Sequence, residues 1–133
     1  MPEARSYLRA DGSCPFDDAF GGIKDARAQA RIDTVVRKLE SGLRTDVAPI
    51  GEGAHEARIH YGPGYRVYFG NDGAELVVLL LCGDKRAQDG DIAFAKALWN
   101  EYRARKAAPP PKPGQPGPGP LLQPKEDDDG ADA

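Results

Sequence analysis

The stretch Glu56-Ala57-Arg58-Ile59-His60-Tyr61-Gly62-Pro63-Gly64-Tyr65-Arg66-Val67-Tyr68-Phe69 decides how this chain is read. Ala57, Ile59 and Tyr61 alternate with Glu56, Arg58 and His60, the period of two expected of a strand with one buried face. Gly62-Pro63-Gly64 interrupts as a turn. Tyr65, Val67 and Phe69 then alternate with Arg66 and Tyr68. The spacing predicts an antiparallel hairpin. Its apolar face looks at a core, and its other face gathers Glu56, Arg58, His60, Arg66 and Tyr68.

Downstream, Asn71-Asp72-Gly73 reads as a second tight turn. Glu75 to Cys82 is apolar on both faces, as a central strand should be. Three strands joined by short turns predict an antiparallel meander. The loop Gly83-Asp84-Lys85-Arg86 leaves the third strand beside the second. That brings Lys85 and Arg86 toward Arg58, His60 and Arg66. A last helix is expected from near Asp89 or Asp91, with Ile92, Ala95, Trp99 and Tyr102 as its apolar stripe and Arg103, Arg105 and Lys106 complementing its dipole.

Upstream, Pro15 suits a first helical turn, and Phe16, Ala19, Phe20 and Ile23 follow as one stripe. A second helix is expected from about Asp25 to Ser41 on Ile32, Val35, Val36 and Leu39, with Gly42 as its stop. Leu43 to Gly53 reads as a loop, and Arg5 to Leu8 as a short first strand. The expected order is β-α-α-β-β-β-α, an α+β fold in which the helices share one sheet face and the other stays partly open.

The chain has 133 residues and a net charge of −3. Five acids and two lysines lie beyond Ala108 and account for that whole charge, so the front part is neutral. Any anion site must therefore be a local cluster rather than a broad basic field. Such a cluster is what phosphate chemistry needs. Arginine forks match phosphate oxygens and stabilise developing negative charge, and a histidine or tyrosine can move a proton. On an exposed sheet face, however, the same residues are often merely solvated. Cys14 and Cys82 have no metal-ligand spacing and are expected to be reduced. No segment is apolar enough to span a bilayer or to read as a signal peptide, so a cytoplasmic protein without metal or cofactor is expected.

Residues 108–133 form a second segment. Pro109-Pro110-Pro111 opens a Pro- and Gly-rich run that cannot continue a helix. An acidic end follows, with Leu121-Leu122 as its only apolar pair. The expectation is a domain over 1–107 and a disordered tail over 108–133, too poor in apolar groups to dock.

From Glu56 to Arg86 the sequence resembles the RelE/HigB toxin superfamily, in its addiction-module killer-protein branch. The string Gly62-Pro63-Gly64-Tyr65-Arg66-Val67-Tyr68-Phe69 followed by Gly83-Asp84-Lys85-Arg86 carries the likeness, with Pro15 to Asp18 upstream and Asp91 to Trp99 downstream. The resemblance covers about residues 5 to 104. It implies a twisted antiparallel sheet and metal-independent endoribonuclease cleavage of messenger RNA on the ribosome, by attack of a ribose 2′-OH on the adjacent phosphate. It also implies a helix-turn-helix antitoxin as partner, covering the open face or displacing the last helix near Trp99 and Tyr102. Arg66 matches the family's strand arginine and Arg86 its loop arginine. Arg66, Arg86, His60 and Tyr68 are thus the candidate catalytic residues, and Arg58 and Lys85 the candidate RNA-binding ones. Ile92 stands where several such nucleases carry a tyrosine. The superfamily also holds toxins that bind DNA gyrase without cutting RNA, and a phage-derived binding domain is a further alternative.

Overall fold

The computed structural model describes residues 2–43, 45–115, 117 and 119–124. Strand β1 (Glu3–Ser6) leads into helices α1 (Pro15–Gly21) and α2 (Ala26–Ser41). Strands β2 (Val47–Gly51), β3 (Ala54–Ile59), β4 (Tyr65–Asp72) and β5 (Leu76–Asp84) follow, then a short 3-10 turn and helix α3 (Gln88–Ala107). Asp25 caps α2 by accepting the Arg27 and Ala28 amides, and Gly42 ends it in the left-handed region at φ 71°.

The sheet has the order β1-β5-β4-β3-β2. The expected meander is present, but it is longer than the sequence suggested. β2 forms inside the stretch expected as a loop and pairs antiparallel with β3. Pro49 is compatible with it because β2 is an edge strand, where one missing donor faces no partner. The β2–β3 connection is a two-residue turn, Glu52-Gly53, with both residues at positive φ. The sheet is mixed rather than wholly antiparallel, because β1 joins the free edge of β5 in parallel.

A second correction concerns the layers. Phe16 of α1 and Ile32 and Val35 of α2 pack with Ala57, Ile59, Val67, Phe69, Val77 and Leu79. On the opposite face α3 places Ala95, Leu98, Trp99 and Tyr102 over Ala54, Tyr68, Val78, Leu80 and Leu81. The sheet is therefore sandwiched, not open. The cause lies in β5, which is apolar on both faces and so must be covered on both. α3 approaches the sheet closely at Gly70, where a Cβ would lie 2.5 Å from the Trp99 ring, and at Gly83, where it would run into the Asp91 carboxylate.

The α3 C-terminal half is clasped to the start of the chain. Glu101 accepts from the Tyr7 hydroxyl at 2.7 Å and from both ends of the Arg9 guanidinium at 3.1 and 3.0 Å. Arg105 donates to the Leu8 carbonyl at 2.6 Å. The chain then returns: Leu121 and Leu122 pack against the α3-side core, and Leu122 pairs with Tyr7. The expectation that this apolar pair could not dock is corrected here. The pair succeeds because it meets a strand edge rather than a flat surface. The acidic end, 125–133, lies outside the described residues.

Candidate functional site

At the end of the sheet where α3 begins, the β3–β4 turn and the start of the 3-10 turn enclose a cleft of about 380 Å³. Arg58 on β3 and Arg66 on β4 are direct cross-strand partners, and Gly83 of β5 lies opposite Arg66 on its other side. The Lys85 amide donates to the Gly64 carbonyl at 2.8 Å, which draws the 3-10 turn against the hairpin turn. Gly64, at φ 88°, is needed there because its backbone is left-handed.

The cleft thus brings together four of the six residues expected from sequence: Arg58, His60, Arg66 and Lys85. Arg66 is far less exposed than the strand pattern suggested. Its Nε lies 3.2 Å from Glu56 Oε1, and only 12% of the side chain is accessible. That Nε–H is not aimed along the ion pair. Arg66 Nε and Arg58 Nε are both buried donors with no hydrogen-bond acceptor among the described residues. Both arginines line one cleft and have the charge and fork geometry to attract an oxyanion, through guanidinium atoms other than these inaccessible Nε groups. Lys85 is exposed, with no ion-pair partner among the described residues.

His60 is not alone. Its Nε2 lies 2.8 Å from Asp46 Oδ2, and Arg58 Nη2 lies 3.5 Å from Asp46 Oδ1. The Asp46 carbonyl also accepts the Arg58 amide at 2.8 Å. Asp46 therefore positions both a cation and an imidazole, and the hydrogen bond from His60 holds its carboxyl below the usual carboxylate range. No sequence signal pointed to Asp46, an isolated acid before a strand that was itself read as loop. The turn is braced from the other face, where the Tyr61 hydroxyl donates to Asp25 at 3.0 Å and Arg31 sits 4.6 Å over the Tyr61 ring.

Two expected residues stand elsewhere. Tyr68 faces the same side as Arg66, but α3 covers it completely. Its hydroxyl has no hydrogen-bond partner among the described residues, and burial drives its pKa upward. It is held neutral in the core, not presented to a substrate. Arg86 is exposed and folds back on Asp84 at 2.8 Å, outside the cleft lining. The aromatic surface expected at the end of α3 is likewise withdrawn, since Trp99 and Tyr102 are buried, while Arg103 and Lys106 are exposed and Arg105 is half-buried.

These features define a small α+β domain, a five-stranded mixed sheet between helices, with a cationic cleft at one end. The chain is 42% identical over 86 residues to an uncharacterized protein of Haemophilus influenzae, across 65% of this chain and 87% of that protein, and it belongs to the same family as that protein. No family model matches the chain, and no solved structure matches it. Among the described residues no helix is long and apolar enough to cross a membrane.

Proposed function

We propose that the chain is the toxin of a type II toxin–antitoxin pair. In this reading it is a RelE/HigB-like, ribosome-dependent and metal-independent mRNA endonuclease that inhibits translation in the cytoplasm, held in check by a helix-turn-helix antitoxin. The cleft carries the reading. Arg58, Arg66 and Lys85 converge there beside a carboxylate-held histidine, three cations on one small cleft.

In the proposed reaction the ribose 2′-oxygen bonds to the adjacent phosphorus and the P–O5′ bond breaks. His60 takes the 2′-OH proton, and Asp46 fixes the ring and balances its charge. O5′ leaves with a proton from solvent or from the imidazolium. Arg66 and Arg58 hold the non-bridging oxygens as charge builds, and Lys85 draws the RNA backbone in as a point charge. Arg86 joins them only by releasing Asp84. Tyr68 supports Arg66 from the core and moves no proton.

One observation favours a second reading, a non-nuclease toxin of the same fold that binds a protein such as DNA gyrase. Tyr68 is enclosed and Ile92 stands where several such nucleases carry a tyrosine, which leaves His60 and Tyr65 as the proton-transfer candidates of the cleft, the Tyr61 hydroxyl being engaged by Asp25. Purified full-length protein added to ribosomes stalled on a defined message separates the two. Cleaved message with 2′,3′-cyclic phosphate ends supports the nuclease. Intact message at saturating protein overturns it.

A further inference from the structure

The tail returns to the start of the chain as a single antiparallel β-bridge, held by two backbone hydrogen bonds. Gln123 N–H donates to the Ser6 carbonyl at 2.9 Å and the Leu8 N–H donates to the Leu121 carbonyl at 2.7 Å, so Leu122 faces Tyr7 as an antiparallel pair. Side chains lock the register. Arg5 Nε donates to the Gln123 carbonyl at 2.8 Å, and Gln123 Nε2 donates to Asp17 at 3.1 Å. Ser6, itself buried, donates to the same Asp17 at 2.9 Å. Apart from the Ser6–Asp17 bond, which lies within the docking surface itself, these are contacts that any extended backbone with an amide side chain in the third position could make.

The grip is short, while the tether is long. Ala108 to Pro120 joins α3 to the docked residues, and none of its described residues lies in a helix or strand. Beside the docked segment a groove of about 610 Å³ opens between β1 and the α1–α2 layer, lined by Phe16, Phe20, Ile32 and Val36 with charged groups around them. Of the returning segment only Gln123 and Pro124 line it. The groove thus continues the strand site and is larger than its present occupant needs.

We propose that the edge from Ser6 to Leu8, just past the Ala4 amide that Glu40 caps, forms with this groove a docking site for an extended segment of a partner protein, which the chain's own Leu121–Gln123 occupies until that segment displaces it. The fitting segment has two adjacent apolar residues, then a side-chain amide, then one large apolar residue that enters the groove. The tether sets the threshold. A tether that spans the distance presents its end at an effective concentration on the order of 1 mM, so a competitor must either exceed that concentration or bind the vacated edge more tightly than the chain's own segment does. The inference is independent of the nuclease reading, since the edge and the cationic cleft are separate sites.

Full-length protein and two synthetic peptides test it, one with the sequence of residues 118–125 and the same peptide carrying Pro124→Phe. In a full-length Leu121→Asp/Leu122→Asp variant, exchange of the Leu8 amide should speed up by about 100-fold while Val78 and Leu80 stay protected. The first peptide should restore Leu8 protection, and the Pro124→Phe peptide should do so at a tenth of the concentration or less, roughly one extra buried aromatic contact. Against the unsubstituted protein both should need at least about tenfold more peptide. Should the variant lose protection at Val78 and Leu80, the unsubstituted protein decides: several millimolar Pro124→Phe peptide must shift the Ser6, Tyr7 and Leu8 amides. Failure of either peptide to bind the variant, no gain from phenylalanine, or silence of those three amides overturns the proposal.

Discussion

Arg58 and Arg66 stand directly opposite each other on β3 and β4, two like charges in a register that ordinarily repels. Each is held by its own acid, Arg58 by Asp46 and Arg66 by the buried Glu56. The repulsion is tolerated because the acids sit on the flanks, leaving the space between the two guanidinium groups open toward Lys85. Under the proposed nuclease reading, a phosphate placed there would offset the remaining repulsion.

Arg66→Ala is expected to do two things at once. It removes a charge-assisted donor from the phosphate, a loss of about 2–4 kcal/mol in transition-state stabilisation. It also strands Glu56 in the core at a cost of about 1–3 kcal/mol. Adding Glu56→Gln should recover much of the stability and none of the activity. Urea midpoints and cleavage rates on the four members of the cycle measure both, and recovery of activity in the double variant would remove Arg66 from the chemistry.

Asp46→Asn should lower the cleavage rate more than it lowers RNA binding, because it releases His60 and Arg58 from their shared anchor while leaving Arg66 and Lys85 in place. Lys85→Ala should do the reverse, weakening binding most at low salt and leaving the rate of bound RNA within a few-fold. Single-turnover cleavage at saturating protein, set beside filter binding at two salt concentrations, tells the two apart. Equal effects on both readouts would show that the assigned roles are wrong.

Gly70→Ala tests the α3 side of the sandwich. The new methyl would meet the Trp99 ring at 2.5–2.6 Å, and the ring cannot yield without parting from Tyr102, on which it stacks at 5.3 Å. Overpacking of this kind costs about 1–3 kcal/mol. An unchanged thermal midpoint would mean that α3 does not lie where it is described.

The clasp at Glu101 gives a pH dependence of known sign. The Arg9 guanidinium, with the Tyr7 hydroxyl, holds the Glu101 carboxyl below its ordinary value. A depressed carboxyl stabilises the fold above its unfolded pKa, and that contribution is lost as pH falls through the folded value. Glu101→Gln should therefore lower the urea midpoint at neutral pH, with the gap closing below roughly pH 4. A gap that stays constant down to acid pH would place the effect in packing rather than in charge.

Much of this was legible in the residues, and for identifiable reasons. Strict alternation from Ala57 to Phe69 placed Arg58 and Arg66 on one face, and the loop after β5 supplied Lys85. What failed was whatever depended on a distant partner. Tyr68 obeys the alternation, yet α3 arrives from far along the chain to bury it. Leu98 completes the α3 stripe, but it went unread beside the more conspicuous Trp99. β2 was hidden by Pro49, Gly51 and Gly53, which are loop residues by composition and edge-strand and turn residues in context. Leu121 and Leu122 are too little for a core of their own, and only the waiting edge of β1 gives them a place.

Expression of the chain in growing bacteria, followed by mapping of transcript ends with and without translation, tests the nuclease reading most directly. The expected result is new 3′ ends confined to translated messages, falling by at least about 30-fold in Arg66→Ala, as a loss of 2 kcal/mol or more requires. Growth arrest with transcript ends unchanged from an uninduced culture would contradict it.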